Sequence, residues 1–139
     1  MVLQETLRLY PSGPALSRET LNDLTIGGLK IPKGVNLWTM VVTMHTDTET
    51  WGPDALSFNP ERFANGVNNA CKNPHSFLPF GFGPRICVGQ HLAMVELKML
   101  IAALVTNFSF TLSSDYVHYP ALKLVIKPGY GVNLLMKKL

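Results

Sequence analysis

The feature that most constrains this chain is a ten-residue loop, Phe80-Gly81-Phe82-Gly83-Pro84-Arg85-Ile86-Cys87-Val88-Gly89, set directly before a long apolar segment. A single cysteine stands among glycines, with an arginine two residues before it. The segment Val88 to Asn107 reads as a helix, so Cys87 is expected at its N-terminal end. Free backbone N–H groups and the positive end of the helix dipole stabilise a thiolate at such a place. Gly81, Gly83 and Gly89 permit positive φ and let the backbone come close to a flat macrocycle. Arg85 offers charge-assisted hydrogen bonds to a carboxylate, and Phe80 can keep water from the sulfur. The spacing F-x-x-G-x-R-x-C-x-G suits a thiolate axial ligand to haem iron, whose sulfur donates electron density to the metal. A buried structural cysteine in a glycine-rich turn is the plainer alternative.

Two further charged motifs precede the loop. Glu5-Thr6-Leu7-Arg8 is an E-x-x-R element whose i,i+3 spacing puts both charges on one helix face. Alone, it would read as a surface ion pair. Pro60-Glu61-Arg62-Phe63 contributes another arginine in a P-x-R-F element. The order matters: E-x-x-R, then P-x-R-F, then the cysteine loop.

Taken together, the three motifs resemble the haem-binding end of cytochromes P450. The resemblance extends through Leu9-Tyr10-Pro11, Ile31-Pro32-Lys33-Gly34, His45-x-Asp47, Trp51-Gly52-Pro53-Asp54-Ala55, Phe58 to Gly66 and Gln90 to Lys98, and so over essentially the whole chain. It is most similar to plant members of the gibberellin- and terpenoid-oxidising group. Ser12, Thr48 and His91-Leu92 depart from residues common at those positions, without touching the three motifs. The resemblance implies a fold class of α+β, the C-terminal portion of the P450 fold. It implies haem as cofactor, with Cys87 as axial ligand and catalytic electron donor. Phe80, Gly81, Gly83, Arg85, Gly89 and, from Ala15-Leu16-Ser17-Arg18, Arg18 would line the cofactor, with Arg85 on a haem propionate. A solvated loop arginine is the alternative for Arg18. Glu5, Arg8 and Arg62 would form a buried three-charge lock holding the loop against the core.

The resemblance also implies partners and a location. Electrons would come from NADPH through a flavoprotein reductase. The substrate would be a hydrophobic small molecule, such as a terpenoid of the gibberellin type. Ser12 to Leu16 and Ala121 to Leu124 correspond to substrate-lining loops, with plain strand packing as the alternative for the second. The family location is the cytosolic face of the endoplasmic reticulum membrane. The chain resembles only about the last quarter of a family member. The membrane anchor, the distal helix with its acid–alcohol pair and most of the substrate pocket are expected to lie outside it. Met1 is expected to be an internal methionine, a misplaced gene start or the start of a truncated copy.

Composition is consistent with part of a larger globular domain. Of 139 residues, 47% are hydrophobic and only 15% charged, so surface meant for partners is expected. The net charge of +3 is dispersed, with only Lys137-Lys138 adjacent, which argues against a nucleic-acid stripe. No run reaches the ~18 apolar residues of a membrane span, and no signal peptide opens the chain. Cys71 and Cys87 lack a C-x-x-C zinc spacing; a disulfide between them would remove the ligand, and a reducing compartment fits better. Asn107-Phe108-Ser109 is a chance glycosylation sequon if the chain faces the cytosol.

The expected organisation is one partial domain over 1–139: a motif helix 1–9, a β-rich segment 22–44, a meander 45–79, the loop 80–89, a helix 90–107 and C-terminal strands 108–139. Thr25-Ile26 and Leu29 to Ile31 read as a hairpin around Gly27-Gly28. Pro11 to Ser17 reads as a loop, and Leu122 to Ile126 and Val132 to Leu135 as strands. The long helix is expected to pack through Leu92, Val95, Met99, Ala102 and Ala103. His45 reads as a structural hydrogen-bonding residue. His91, four residues after Cys87, opens a rival reading as a Cys–His nucleophile pair, although no third group orients the imidazole. The leading function is a haem-thiolate monooxygenase. The alternative is a truncated, inactive remnant that binds haem weakly or not at all.

Overall fold

A computed structural model describes all 139 residues. Val2–Leu9 form the first helix (α1). Its acidic Glu5 lies in the first turn and its basic Arg8 in the last, matching the helix dipole. It stops at Tyr10 because Pro11 disfavours helical geometry in the residue before it.

A strand follows where the proline-punctuated loop was expected. Ala15–Glu19 (β1) pairs antiparallel with a later strand of Asn36–Met40, Ala15 opposite Met40 and Glu19 opposite Asn36. β1 has no alternating apolar signal of its own, and its pairing partner lies some twenty residues on, so only the ladder reveals it. Between the two runs a hairpin, Leu24–Ile26 (β2) and Leu29–Ile31 (β3). Gly27 and Gly28 turn it at φ +56° and +83°, the positive pair that a tight two-residue turn needs. Asn36–Met40 is therefore β4.

Residues 41–44, expected within the β-rich segment, are helical. Val41–Thr46 (α2) follows β4 directly, because Val41 and His45 at i,i+4 both point into the interior and are fully buried. Asp47 then caps a single turn, Thr48–Trp51 (α3), by accepting the Thr50 N–H at 2.9 Å. The meander beyond has short 3₁₀ turns at Pro60–Phe63, Val67–Asn69 and Pro74–Ser76. Trp51, Ala55, Phe63 and Ala70 make a small apolar core there, with Phe77 packed against it.

The long helix, Gln90–Asn107 (α4), packs through a different face from the expected one. Gln90, Ala93, Met94 and Leu97 are half-buried, while Leu92, Val95 and Met99 are 64%, 52% and 68% exposed. α4 is apolar on all sides, so periodicity could not choose the inward face. The C-terminal strands are Phe108–Leu112 (β5), Pro120–Leu122 (β6), Ile126–Pro128 (β7) and Leu134–Lys138 (β8). β5 pairs with β8 and β6 with β7. The run Leu122 to Ile126 is thus the tip of a hairpin rather than one strand, and the last strand sits later than Val132 to Leu135.

Twelve of 139 residues are buried, and the accessible surface is 10007 Å². A compact monomer of this size exposes about 7,200 Å². Large apolar side chains are exposed along the whole chain, more of them on α4 and the C-terminal segment than before it, and no helix is long and apolar enough to cross a membrane.

Candidate functional site

The cysteine loop is closed by its own backbone. The Cys87 N–H donates to the Phe80 carbonyl at 2.8 Å, and the Gly81 N–H to the Leu78 carbonyl at 3.1 Å. Gly81 and Gly83 both have φ +76°, so an L side chain at either would be strained. Gly89 differs: its φ is −88°, which any residue can adopt. A Cβ there would stand 3.9 Å from the Cys87 Sγ, in ordinary van der Waals contact, so Gly89 leaves the flank of the sulfur bare without being required by its backbone. Gly83–Arg85 forms a 3₁₀ turn that leaves Ile86, Cys87 and Val88 exposed.

Cys87 lies three residues ahead of α4 rather than within it. Its carbonyl accepts the Gln90 N–H at 3.4 Å, so the loop hands over to the helix through the cysteine itself. His91 therefore does not share a helix turn with Cys87, and no hydrogen bond joins them. His91 instead lines a cavity of about 230 Å³ with Leu7, Phe77, Phe80 and Met94. Both cysteines are free thiols; Cys71 donates to the Asn73 carbonyl at 3.0 Å, and burial pushes its pKa up.

Around the exposed sulfur, Arg85 is exposed and makes no hydrogen bond or ion pair, while Phe80 is half-buried. Arg18 is exposed, its guanidinium donating only to the Ser17 carbonyl at 2.8 Å. Leu16, two residues earlier on β1, approaches Gly81, within 3.8 Å of where a Cβ would stand. Strand alternation puts Leu16 and Arg18 on one face, so Arg18 emerges on the loop side. The Ile126 N–H donates to the Ser12 carbonyl at 3.3 Å, which brings the β6–β7 hairpin beside the segment that leads into β1. An open thiol, unpartnered cations and a backbone bare of side chains beside the sulfur fit a flat, dianionic macrocycle with an iron centre.

Behind the loop lies a buried charged junction. Arg8 forks onto Glu5, Nε to Oε2 at 2.7 Å and Nη2 to Oε1 at 2.8 Å, with both side chains fully buried. Its remaining N–H groups reach the carbonyls of His45 and Ala55, each at 2.6 Å, and of Ser57 at 3.2 Å. The guanidinium also sits 5.0 Å above the Trp51 ring. Glu5 Oε1 accepts a further N–H from Asn59 at 2.8 Å. Burial pushes the Glu5 carboxyl up, but the Arg8 and Asn59 hydrogen bonds and the charges of Arg8 and Arg62 outweigh it and hold it below 4.5.

Arg62 touches Glu5 only at 3.6 Å, through an Nε that has no hydrogen-bond partner. Its fork belongs to Asp54, with Nη2 to Oδ2 at 2.8 Å and Nη1 to Oδ1 at 3.2 Å, and Nη1 also donates to the Trp51 carbonyl at 2.9 Å. Asp54 is a functional residue that sequence reasoning missed. Its carboxyl is held low by the Asn59 side chain and then by Arg62. The junction is thus two cations and two carboxylates. The opposite charge at Asp54 was visible within Trp51-Gly52-Pro53-Asp54-Ala55, but an irregular turn offers no period that would pair it with Arg62.

His45 completes the junction. Its Nδ1 lies 2.9 Å from the Arg8 carbonyl, and its Nε2 accepts the Leu78 N–H at 2.8 Å. A carbonyl can only accept and an amide can only donate, so the ring is neutral with its proton on Nδ1. Burial lowers its pKa from 6.5 to about 4, and the Arg8 charge adds to the fall against the pull of the Arg8 carbonyl.

A family model described as cytochrome P450 matches residues 1–132. Cytochrome P450 714C2 of Oryza sativa subsp. japonica is 53% identical over 139 residues, all of this chain and 27% of the relative. Cytochrome P450 714A2 of Arabidopsis thaliana is 52% identical over 132 residues, 95% of this chain and 25% of the relative. The chain thus spans about a quarter of the length of the curated relatives it matches. Among solved structures, a retinoic acid-bound cyanobacterial CYP120A1 superposes with a TM-score of 0.89 at 31% identity, covering 99% of this chain and 32% of that one.

Proposed function

The chain belongs to the cytochrome P450 family, and on that premise we propose that its cysteine loop is the haem-holding end of a monooxygenase acting on hydrophobic small molecules. One observation carries the reading: Cys87 is exposed on a loop that Gly81 and Gly83 turn at positive φ, with a largely buried charged junction behind it. Cys87 would ligate the iron. Arg85, and Arg18 from β1, would meet the propionates, Phe80 would exclude water near the sulfur, and Gly81, Gly83 and Gly89 would keep the backbone clear of the ring. Haem held there would supply activation of O₂, with one atom going into a C–H bond and the other to water, at the expense of two protons and of two electrons from NADPH through a flavoprotein reductase. Glu5, Arg8, Arg62 and Asp54 take no part in that chemistry; they hold the loop at one height.

The substrate reading is a terpenoid of the gibberellin type, supported by the resemblance to the plant terpenoid-oxidising group. The lining would come in part from Ser12 to Leu16 and the β6–β7 tip, where Leu124 is 91% exposed. The location proposed from family resemblance is the cytosolic face of the endoplasmic reticulum membrane.

The test grafts these 139 residues in place of the matching segment of the rice 714C2 relative. Reduced protein with carbon monoxide is expected to give a thiolate-type, red-shifted band that Cys87→Ser abolishes. A folded graft without that band would sink the reading. For the 139 residues alone, the exposed α4 and the 10007 Å² surface favour the second reading, weak haem binding or none. A stable red-shifted band from the isolated chain would overturn that.

A further inference from the structure

We propose that His45 is a positioning residue that sets the height of the cysteine loop, through a tether from the Arg8 main chain to the Leu78 amide. Three observations carry the idea. The first is that His45 is bonded to Arg8 twice: its ring Nδ1–H donates to the Arg8 carbonyl at 2.9 Å, and its own carbonyl accepts from Arg8 Nη1 at 2.6 Å. The ring therefore moves with the charged junction. The second is that Nε2 holds the Leu78 N–H at 2.8 Å, across 33 residues of sequence. The third is where Leu78 leads. Its carbonyl accepts the Gly81 N–H at 3.1 Å, and the neighbouring Phe80 carbonyl accepts the Cys87 N–H at 2.8 Å.

A path of hydrogen bonds and chain links thus runs from Arg8 through the imidazole to Leu78 and the Phe80–Gly81 peptide, whose carbonyl holds the Cys87 N–H. The ring is clamped as well as bonded. It stacks on Phe77, with centroids 5.5 Å apart and planes at 25°, and meets the edge of Trp51 at 6.1 Å. A structural histidine filling a core needs only the packing. The two directed bonds on opposite ring nitrogens, one of them to the approach of the loop, define a strut. The consequence for haem rests on the function proposed above; the strut itself does not.

His45→Phe is the informative variant, because it keeps the ring between Phe77 and Trp51 and deletes both side-chain bonds. In the haem-free graft, the Leu78 amide is expected to exchange hydrogen about tenfold faster, the loss of one net hydrogen bond, and the Cys87 amide to exchange faster as the loop that holds its bond to Phe80 loosens. With haem, the red-shifted carbonyl band of the folded protein is expected to broaden or lose intensity. Phe63→Leu, which thins the same aromatic core behind Phe77 and Trp51 but keeps both ring-nitrogen bonds of His45, is expected to lower the unfolding midpoint and leave both readouts far less changed than His45→Phe does. Unaltered Cys87 exchange in His45→Phe would overturn the proposal, as would equal changes in Phe63→Leu. Absence of the band in the unmutated graft would instead count against the haem reading, and the exchange rates would still decide the strut.

Discussion

The two halves of the molecule invert the usual relation between polarity and burial. From α1 to the meander, the deepest side chains are Arg8, His45 and Glu5, ionic or polar and almost completely paired. From α4 onward the side chains are largely apolar, yet α4 has no buried residue and β8 is exposed along its length. Hydrophobic burial normally supplies the stability and polar groups the specificity. Here the half complete within these residues is the specificity device, and the half able to supply apolar burial packs only one side of α4 within the chain and leaves most of its apolar surface uncovered. The junction defines where Cys87 stands, and α4 offers the adhesive surface.

The largest expected effect would break the junction. Arg8→Ala strands Glu5 in the interior and leaves the carbonyls of His45, Ala55 and Ser57 without their donor. Removing one partner of a buried pair costs about 3–5 kcal/mol. Urea unfolding of the graft should show that loss, and a loss below about 1 kcal/mol would mean that the junction is not the anchor.

Next comes acid. His45 titrates near 6.5 when unfolded and about 4 when folded, so the unfolded state binds the extra proton between those values. Stability is then complete above pH 6.5 and falls by about 3 kcal/mol as pH drops to 4. The ring faces the Arg8 carbonyl from α1, Trp51 from α3, and Phe77 and Leu78 before the loop, and Arg8 is the charge acting on it. Glu5, with its pKa held below 4.5, loses its contribution only at still lower pH. Unfolding midpoints at pH 7 and pH 4.5 should therefore differ in the graft and converge in His45→Phe.

Asp54→Asn should act more mildly. The Asp54 side chain is 42% exposed, so solvent screens its pairing with Arg62 and the loss should be about 1 kcal/mol. Its diagnostic value is comparative: a loss as large as that of Arg8→Ala would place the weight of the junction on the outer pair rather than on Glu5–Arg8.

Legibility in the sequence cut across that divide. Glu5 and Arg8 share a helix face by spacing alone, and the Gly27-Gly28 hairpin announces itself by turn chemistry. Helix existence was also plain over Gln90 to Asn107. What stayed hidden required contacts between irregular segments. Asp54 against Arg62, and His45 of α2 against Leu78, each bring in an irregular segment whose geometry has no period. β1 needed its partner β4, and the inward face of α4 could not be read from a helix that is apolar all round.

The smallest effect, that expected in the isolated chain, sharpens the comparison from its other side. Leu92 is 64% exposed on α4, so in the 139-residue chain Leu92→Ala removes almost no buried contact. Surface substitutions of this kind stay within about 0.5 kcal/mol, and exchange of the α1 and α2 amides in the isolated chain should not change. In the graft, the same substitution should cost about 2–5 kcal/mol if the rest of the relative covers that face. The difference between the two contexts is a direct measure of how much stability α4 gains from outside these residues. Equal small effects in both would mean that α4 faces solvent in the graft too. The apolar half would then need a different explanation from the one its exposure suggests.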